Sequence, residues 1–259
     1  MRKFKVFAAW ALLFSYLVVI LGFVTEKRDN RLINTIDVQI IDSNLNRFIN
    51  RNDILKLIQP EQKNILGVPD REVNTDVLEK LIYAHPIVKK ARVYKTASGT
   101  LHIEISQRRP LLRVINAWNE DYYIDTEGRI MPWSGKFTAY VPVANGDIRY
   151  RLVRGKEYDV RDSSMGILND LYKLGIFLRE NKFWGAQVEQ IFINSQHDIE
   201  LVPRVGAHLI ILGNMENAEE KFRNLEAIYK TGFGEEGWNG YQTINLKYKN
   251  QVICTKRQF

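Results

Sequence analysis

One cysteine in the whole chain, Cys254, excludes an intrachain disulfide and any cysteine-based metal site. Histidine is scarce too. His85, His102, His197 and His208 each stand alone, His85 before a proline and His102 on the polar face of an expected strand, so no ligand pair arises by spacing. There is no G-x-S-x-G, S-x-x-K, H-E-x-x-H or G-x-x-x-x-G-K-[ST]. Ser195, His197 and Asp198 are close in sequence but read first as a polar turn between strands, and Glu235-Glu236 reads as a solvated pair in a Gly-rich loop. We therefore assign no catalytic, cofactor-binding or metal-ligating residue and expect no cofactor and no enzymatic activity. A strong charge excess is also missing. The chain carries 37 Lys plus Arg against 30 Asp plus Glu, and three of those cations (Arg2, Lys3, Lys5) sit in the first six residues. That balance is no nucleic-acid footprint, and no small-molecule substrate is implied.

What the chain does have is a run free of charge and proline, residues 7–24 (FAAWALLFSYLVVILGFV). Eighteen helical residues reach about 27 Å, close to the roughly 30 Å hydrocarbon core of a bilayer. The run exceeds a signal-peptide core, and no A-x-A-like cleavage site follows it, so it is expected to stay as a transmembrane helix. The basic tail 1–6 marks the cytoplasmic side, although Lys27, Arg28 and Arg31 on the far flank weaken the bias. The expected topology is single-pass, type II, N-in, with a polar linker over 25–33 and the bulk of the chain extracytoplasmic.

Beyond the linker, Ile36, Val38 and Ile40 alternate with polar residues as in a half-buried strand. Asn50, three residues before Asp53, forms a capping-box pattern ahead of Ile54, Leu57 and Ile58. Residues 61–71 read as a loop. A second helix starts near Asn74 or Thr75, buries Val77, Leu78, Leu81 and Ile82, and ends at His85 before Pro86. Two strands follow, joined by a turn at Thr96 to Gly99, with Leu101, Ile103 and Ile105 on one face. The run Lys89, Lys90, Arg92 and Lys95 reads as a solvated strand face or a protected edge. The order strand, helix, helix, strand, strand over 34–109 resembles a POTRA domain, a polypeptide-binding module.

The stretch 101–133 combines a strand, a corner at Arg109-Pro110, a second strand (Leu111 to Ile115), and Tyr122-Tyr123-Ile124 turning through Asp125 to Gly128. Gln107-Arg108-Arg109-Pro110, Tyr123-Ile124-Asp125, Gly128 with Pro132, and then Val141-Pro142-Val143 with Gly146 resemble the signature of the FtsQ/DivIB cell-division family. Leu112 departs from it, since a small residue is usual there. In the remainder, Ile167, Leu171, Leu174 and Leu178 mark a helix capped by Asp162 or Ser163, with Gly185 beyond its end. Strands are expected at Val188 to Ile193, Ile199 to Val202 and Leu209 to Leu212. Another helix runs from Asn217 to Gly232, with Ala218, Phe222, Leu225 and Ile228 on its apolar face. After a Gly-rich loop (Gly234 to Gly240), strands at Tyr241 to Tyr248 and Gln251 to Lys256 are joined by Lys249-Asn250. The fold class is α+β: an N-terminal transmembrane helix, a POTRA-like β-α-α-β-β domain, and a strand-rich mixed α/β C-terminal domain over 110–256, with a tail at 257–259.

The resemblance implies a non-enzymatic division scaffold in the inner membrane, periplasmic in its bulk and concentrated at the septum. It implies partners of the FtsB and FtsL type, other divisome membrane proteins, and a role in supporting septal peptidoglycan synthesis. Asn245-Leu246-Lys247-Tyr248 stands where the family has an Asp-Leu-Arg-Tyr-like segment. The candidate partner-binding residues are Lys247 and Tyr248 as side-chain contacts, with Gln251, Val252, Ile253, Cys254 and Thr255 supplying an edge for strand addition. Tyr248 has an alternative reading as a packed strand aromatic. Two other functions stay open: a POTRA-bearing factor of protein translocation or outer-membrane assembly, which calls for long transmembrane strands, and a membrane-anchored cell-wall hydrolase.

Overall fold

A computed structural model describes residues 7, 10–20, 31–44, 46–60, 65–153, 156–231 and 237–258. Residues 10–20 are helical, with every side chain exposed. Among the described residues no helix is long and apolar enough to cross a membrane. The expected tail 1–6, most of the linker, and residues 8–9 and 21–24 of the expected span lie outside the described residues. So do Gly232, 234–236 of the Gly-rich loop, and Phe259.

The chain divides into two compact units, Met1–Gln107 and Arg108–Phe259. The first contains β1 (Thr35–Ile40), α1 (Arg51–Ile58), α2 (Thr75–Tyr83), β2 (Val88–Lys95) and β3 (Thr100–Gln107). Its sheet has the order β1-β3-β2, with β1 parallel and β2 antiparallel to the central strand. The cause lies in the alternation of β3, whose Leu101, Ile103 and Ile105 are fully buried. The helices close over them with Ile54, Ile58, Leu78 and Ile82. Asn50 forms the expected capping box, accepting from Asp53 N at 3.1 Å while Asp53 Oδ2 accepts from Asn50 N at 2.9 Å. Asn74 caps α2 through Asp76 N and Val77 N.

Three expectations change here. Residues 31–33 belong to the folded unit: Ile33 is buried, its N–H donates to Val68 O at 2.9 Å, and Leu32 bridges Pro69. Val77 is 44% exposed, because the core side of α2 is set by Leu78 and Ile82. Lys95 leaves the basic run. Its ammonium lies 3.0 Å from Asp70 Oδ1 and donates to the Asp70 and Val73 carbonyls, tying the 3₁₀ turn Asp70–Glu72 to the sheet. At the other end of the unit, buried Gln107 accepts from Phe48 N and Ile49 N and donates to Asn46 O at 2.6 Å. That one amide satisfies the backbone of the segment entering α1.

The second unit is built on one nine-stranded sheet, β12-β11-β10-β9-β8-β7-β4-β5-β6. The strands are β4 (Pro110–Ile115), β5 (Asp121–Asp125), β6 (Ile130–Pro132), β7 (Val143–Gly146), β8 (Val188–Ile193), β9 (Ile199–Pro203), β10 (Leu209–Gly213), β11 (Tyr241–Asn245) and β12 (Ile253–Lys256). β7 lies parallel between β4 and β8, and β10 and β11 are parallel to one another. The other neighbours are antiparallel hairpins. Helices α3 (Ile167–Glu180), α4 (Lys182–Gln187) and α5 (Ala218–Thr231) contribute Leu171, Leu174, Trp184, Phe222 and Leu225 to its core. Phe177 stacks on Phe222 at 4.2 Å and Trp184 meets Tyr229 edge-on at 5.2 Å, so an aromatic seam holds the three helices together.

Local differences from the sequence reading have identifiable causes. Asp162 caps a 3₁₀ turn (Ser163–Met165), accepting from Ser164 N, and Gly166 at φ 55° precedes α3. Gly185 lies beyond the end of α3, inside the short α4, whose cap is Asn181. β11 ends at Asn245, although Leu246 N still donates to Ile211 O at 2.8 Å and Leu246 is buried on the same face as Ile244; residues 247–252 form a loop.

Candidate partner-binding edge

β12 ends the sheet order, so one side of its backbone has no strand partner among the described residues. Its inner side pairs antiparallel with β11, Asn245 opposite Ile253, Ile244 opposite Cys254 and Thr243 opposite Thr255. Ile253, Cys254 and Thr255 thus lie on the edge as expected, with Lys256 added to them. Gln251 and Val252 do not. They precede the strand: Gln251 N donates to Tyr248 O at 3.3 Å, and Val252 packs against the core. Cys254 also packs there, and burial raises its thiol pKa. It is a small interior-facing strand residue. Tyr248 is 54% exposed, which removes its reading as a packed aromatic.

Lys247 is positioned from its own backbone, whose N–H donates to Asn245 Oδ1 at 3.0 Å. Its side chain crosses Gly213 and places Nζ 2.6 Å from Asp198 Oδ2. That hydrogen bond raises the lysine pKa. Gly213 has φ 77°, and a Cβ there would meet Lys247 Cγ at 2.8 Å, so a glycine is needed for both the backbone and the crossing side chain. Beside the loop, a cavity of about 280 Å³ opens between 246–251 and the first turns of α5. Lys221 organises its far wall by donating to Leu212 O, Asn214 O and Asn214 Oδ1. Its partial burial lowers its pKa. Glu216, Glu220, Lys221, Lys247 and Lys249 give the cavity charges of both signs.

Asp198, Gly213, Asn214 and Lys221 were not found from sequence, because each reaches this place through β9, β10 or α5 rather than through the terminal hairpin. Ser195, His197 and Asp198 do form a turn, with Asn194 Oδ1 accepting from Gln196 N and Asp198 N. The histidines stay dispersed: His102 pairs with Asp37 at 3.2 Å, and buried His208 bonds Tyr229 at 2.7 Å. Among the described residues no group of three or more His, Cys, Asp or Glu gathers where a metal ion would fit.

Residues 109–255 match the family model described as FtsQ/DivIB, C-terminal related. Residues 31–106 match the model of a POTRA-like domain. No curated protein matches the chain.

Proposed function

From the membership of this chain in the FtsQ/DivIB C-terminal related family, we propose that it is a non-enzymatic, membrane-anchored scaffold of the bacterial division machinery. In this reading residues 7–24 span the inner membrane with the tail 1–6 inside. Support comes from residues 10–20, apolar and helical with no side chain covered, an arrangement favoured in hydrocarbon and not in water. The POTRA-like unit recruits other divisome proteins. The C-terminal edge receives coiled-coil partners of the FtsB and FtsL type, and the assembly supports septal peptidoglycan synthesis.

The observation that carries the proposal is the edge strand β12 beside exposed Tyr248, inside the stretch that matches the family. An extended segment added to β12 gains main-chain hydrogen bonds, and Tyr248 with the neighbouring cavity supplies side-chain selectivity. Photo-crosslinking in living bacteria from position 248, with position 102 for comparison, tests it. Capture of a small single-span coiled-coil protein from position 248 alone is expected. Capture of none, in a folded protein, would refute this placement of the interface.

A further inference from the structure

A second surface of the Arg108–Phe259 unit lies away from the terminal hairpin. β7 is shorter than its neighbours. Its ladders begin at Val143, opposite Arg113 of β4 and Gln190 of β8, so Leu111, Val188 and Glu189 have no β7 residue in register. The cause is local. Pro142 has no N–H to donate, and Val141 N turns back to Ala139 O at 3.1 Å. A notch is left at the start of the parallel strands β4, β7 and β8.

That notch continues into a cavity of about 630 Å³. Leu111, Val141, Pro142, Leu178 and Val188 make it apolar, and Gly175 and Gly185 in its lining are points of close packing, where a Cβ would meet Leu111 Cγ at 2.9 Å and run into the Leu178 carbonyl. Its rim is basic. Among the described residues Arg179, Lys182 and Arg204 surround it, against Glu189 as the one lining carboxylate. Tyr140, 91% exposed, stands at the rim with its hydroxyl accepting from Arg204 at 3.0 Å. Among the described residues Arg179 pairs with exposed Glu180 at 3.7 Å, a loose pair.

We propose that this groove docks a short extended acidic segment of a protein partner, with aliphatic side chains in the notch and carboxylates on Arg179, Lys182 and Arg204. The register of β4 and β8 leaves room for extended backbone, the floor takes aliphatic groups, and the three-to-one excess of cations selects acid over base. The site is independent of the β12 edge and of the coiled-coil reading.

The test uses the full chain in detergent micelles and a fluorescein-labelled peptide of alternating glutamate and leucine, followed by anisotropy. A lysine-leucine peptide of equal length is the control. The acidic peptide is expected to bind and to weaken with added salt, and the control is expected not to bind. The double variant Arg179→Glu/Lys182→Glu, both exposed positions that leave the core intact, should weaken binding by at least about tenfold. Tyr248→Ala should leave it unchanged, which separates this site from the C-terminal edge. Equal binding of both peptides, no binding, or unchanged binding by the double variant would overturn the proposal. So would a dimer of the full chain that the double variant dissolves, since the groove's occupant would then be a second copy.

Discussion

Lys247 and Asp198 are brought together across a glycine. The Lys247 side chain lies against Gly213, and its ammonium meets Asp198 Oδ2 at 2.6 Å, tying the loop after β11 to the turn before β9. The pair is partly open to solvent, with side chains 38% and 19% exposed, so its own contribution to stability is small. Gly213 matters more. With φ at 77° and Lys247 Cγ at 2.8 Å from any added Cβ, Gly213→Ala is expected to cost about 1–3 kcal/mol in urea denaturation. Removing the obstructing side chain tests the cause. In Gly213→Ala/Lys247→Ala the cost should be smaller than the sum of the two single variants, leaving mainly the backbone strain.

Tyr248 should separate stability from binding. Its ring is more than half exposed, so Tyr248→Ala should shift the unfolding midpoint by no more than about 0.5 kcal/mol. In the same variant, affinity for a purified FtsB-type segment should fall by about tenfold or more, as for an aromatic anchor at an interface centre. Loss of both stability and affinity would show instead that the ring holds the loop together.

Asp159 gives a prediction in pH. Its hydrogen bonds with Arg161 hold its carboxyl down, at about 2. A depressed carboxyl pKa stabilises the fold above the unfolded value, near 4, and that stabilisation is lost as pH falls towards 2. The interaction also has a structural consequence, because Arg161 lies over the turn at Gly128. Asp159→Asn should therefore unfold more readily than the parent at pH 5 to 7, with the difference shrinking through pH 4 to 2. A difference constant across that range would mean that the charge of Asp159 is not what supports the turn.

The order of elements in both units was legible because periodicity and caps are local. Asn50 and Asn74 cap where their spacing indicates, and the three alternating apolar residues of β3 are its buried face. Strand neighbourhood was not legible. β7 (VANG) has too little apolar alternation to mark it as a strand, yet it is the strand that joins β4 to β8. At the edge, sequence singled out Tyr248 and Cys254 but ran the first strand to Tyr248 and began the second at Gln251, whereas the strands end at Asn245 and begin at Ile253, because a local pattern does not show where two strands stop pairing. The acidic and lysine partners around Lys247 come from distant segments, and only the folded sheet brings them there.

The family-like motif around Asp125 is explained by folding alone. Asp125 is 1% exposed, and its Oδ1 accepts from Glu127 N at 2.8 Å and Arg129 N at 2.7 Å, while Oδ2 accepts from Arg108 at 3.0 Å. One carboxylate thus closes the turn between β5 and β6 and fixes the first residue of the unit. Asp125→Ala leaves two amides without an acceptor and a largely buried guanidinium with only the longer pair to Glu127 at 3.7 Å, and should cost about 3–5 kcal/mol. Asp125→Asn keeps one oxygen for the two amides but turns an amino group towards Arg108, so about 1.5–3 kcal/mol is expected. Adding Arg108→Met to Asp125→Asn should recover part of that loss, because the cation that has lost its nearer carboxylate is then gone. Denaturant midpoints of the four proteins decide it. If the Asn variant is as damaged as the Ala variant and Arg108→Met restores nothing, the ion pair is irrelevant and the turn depends on other contacts.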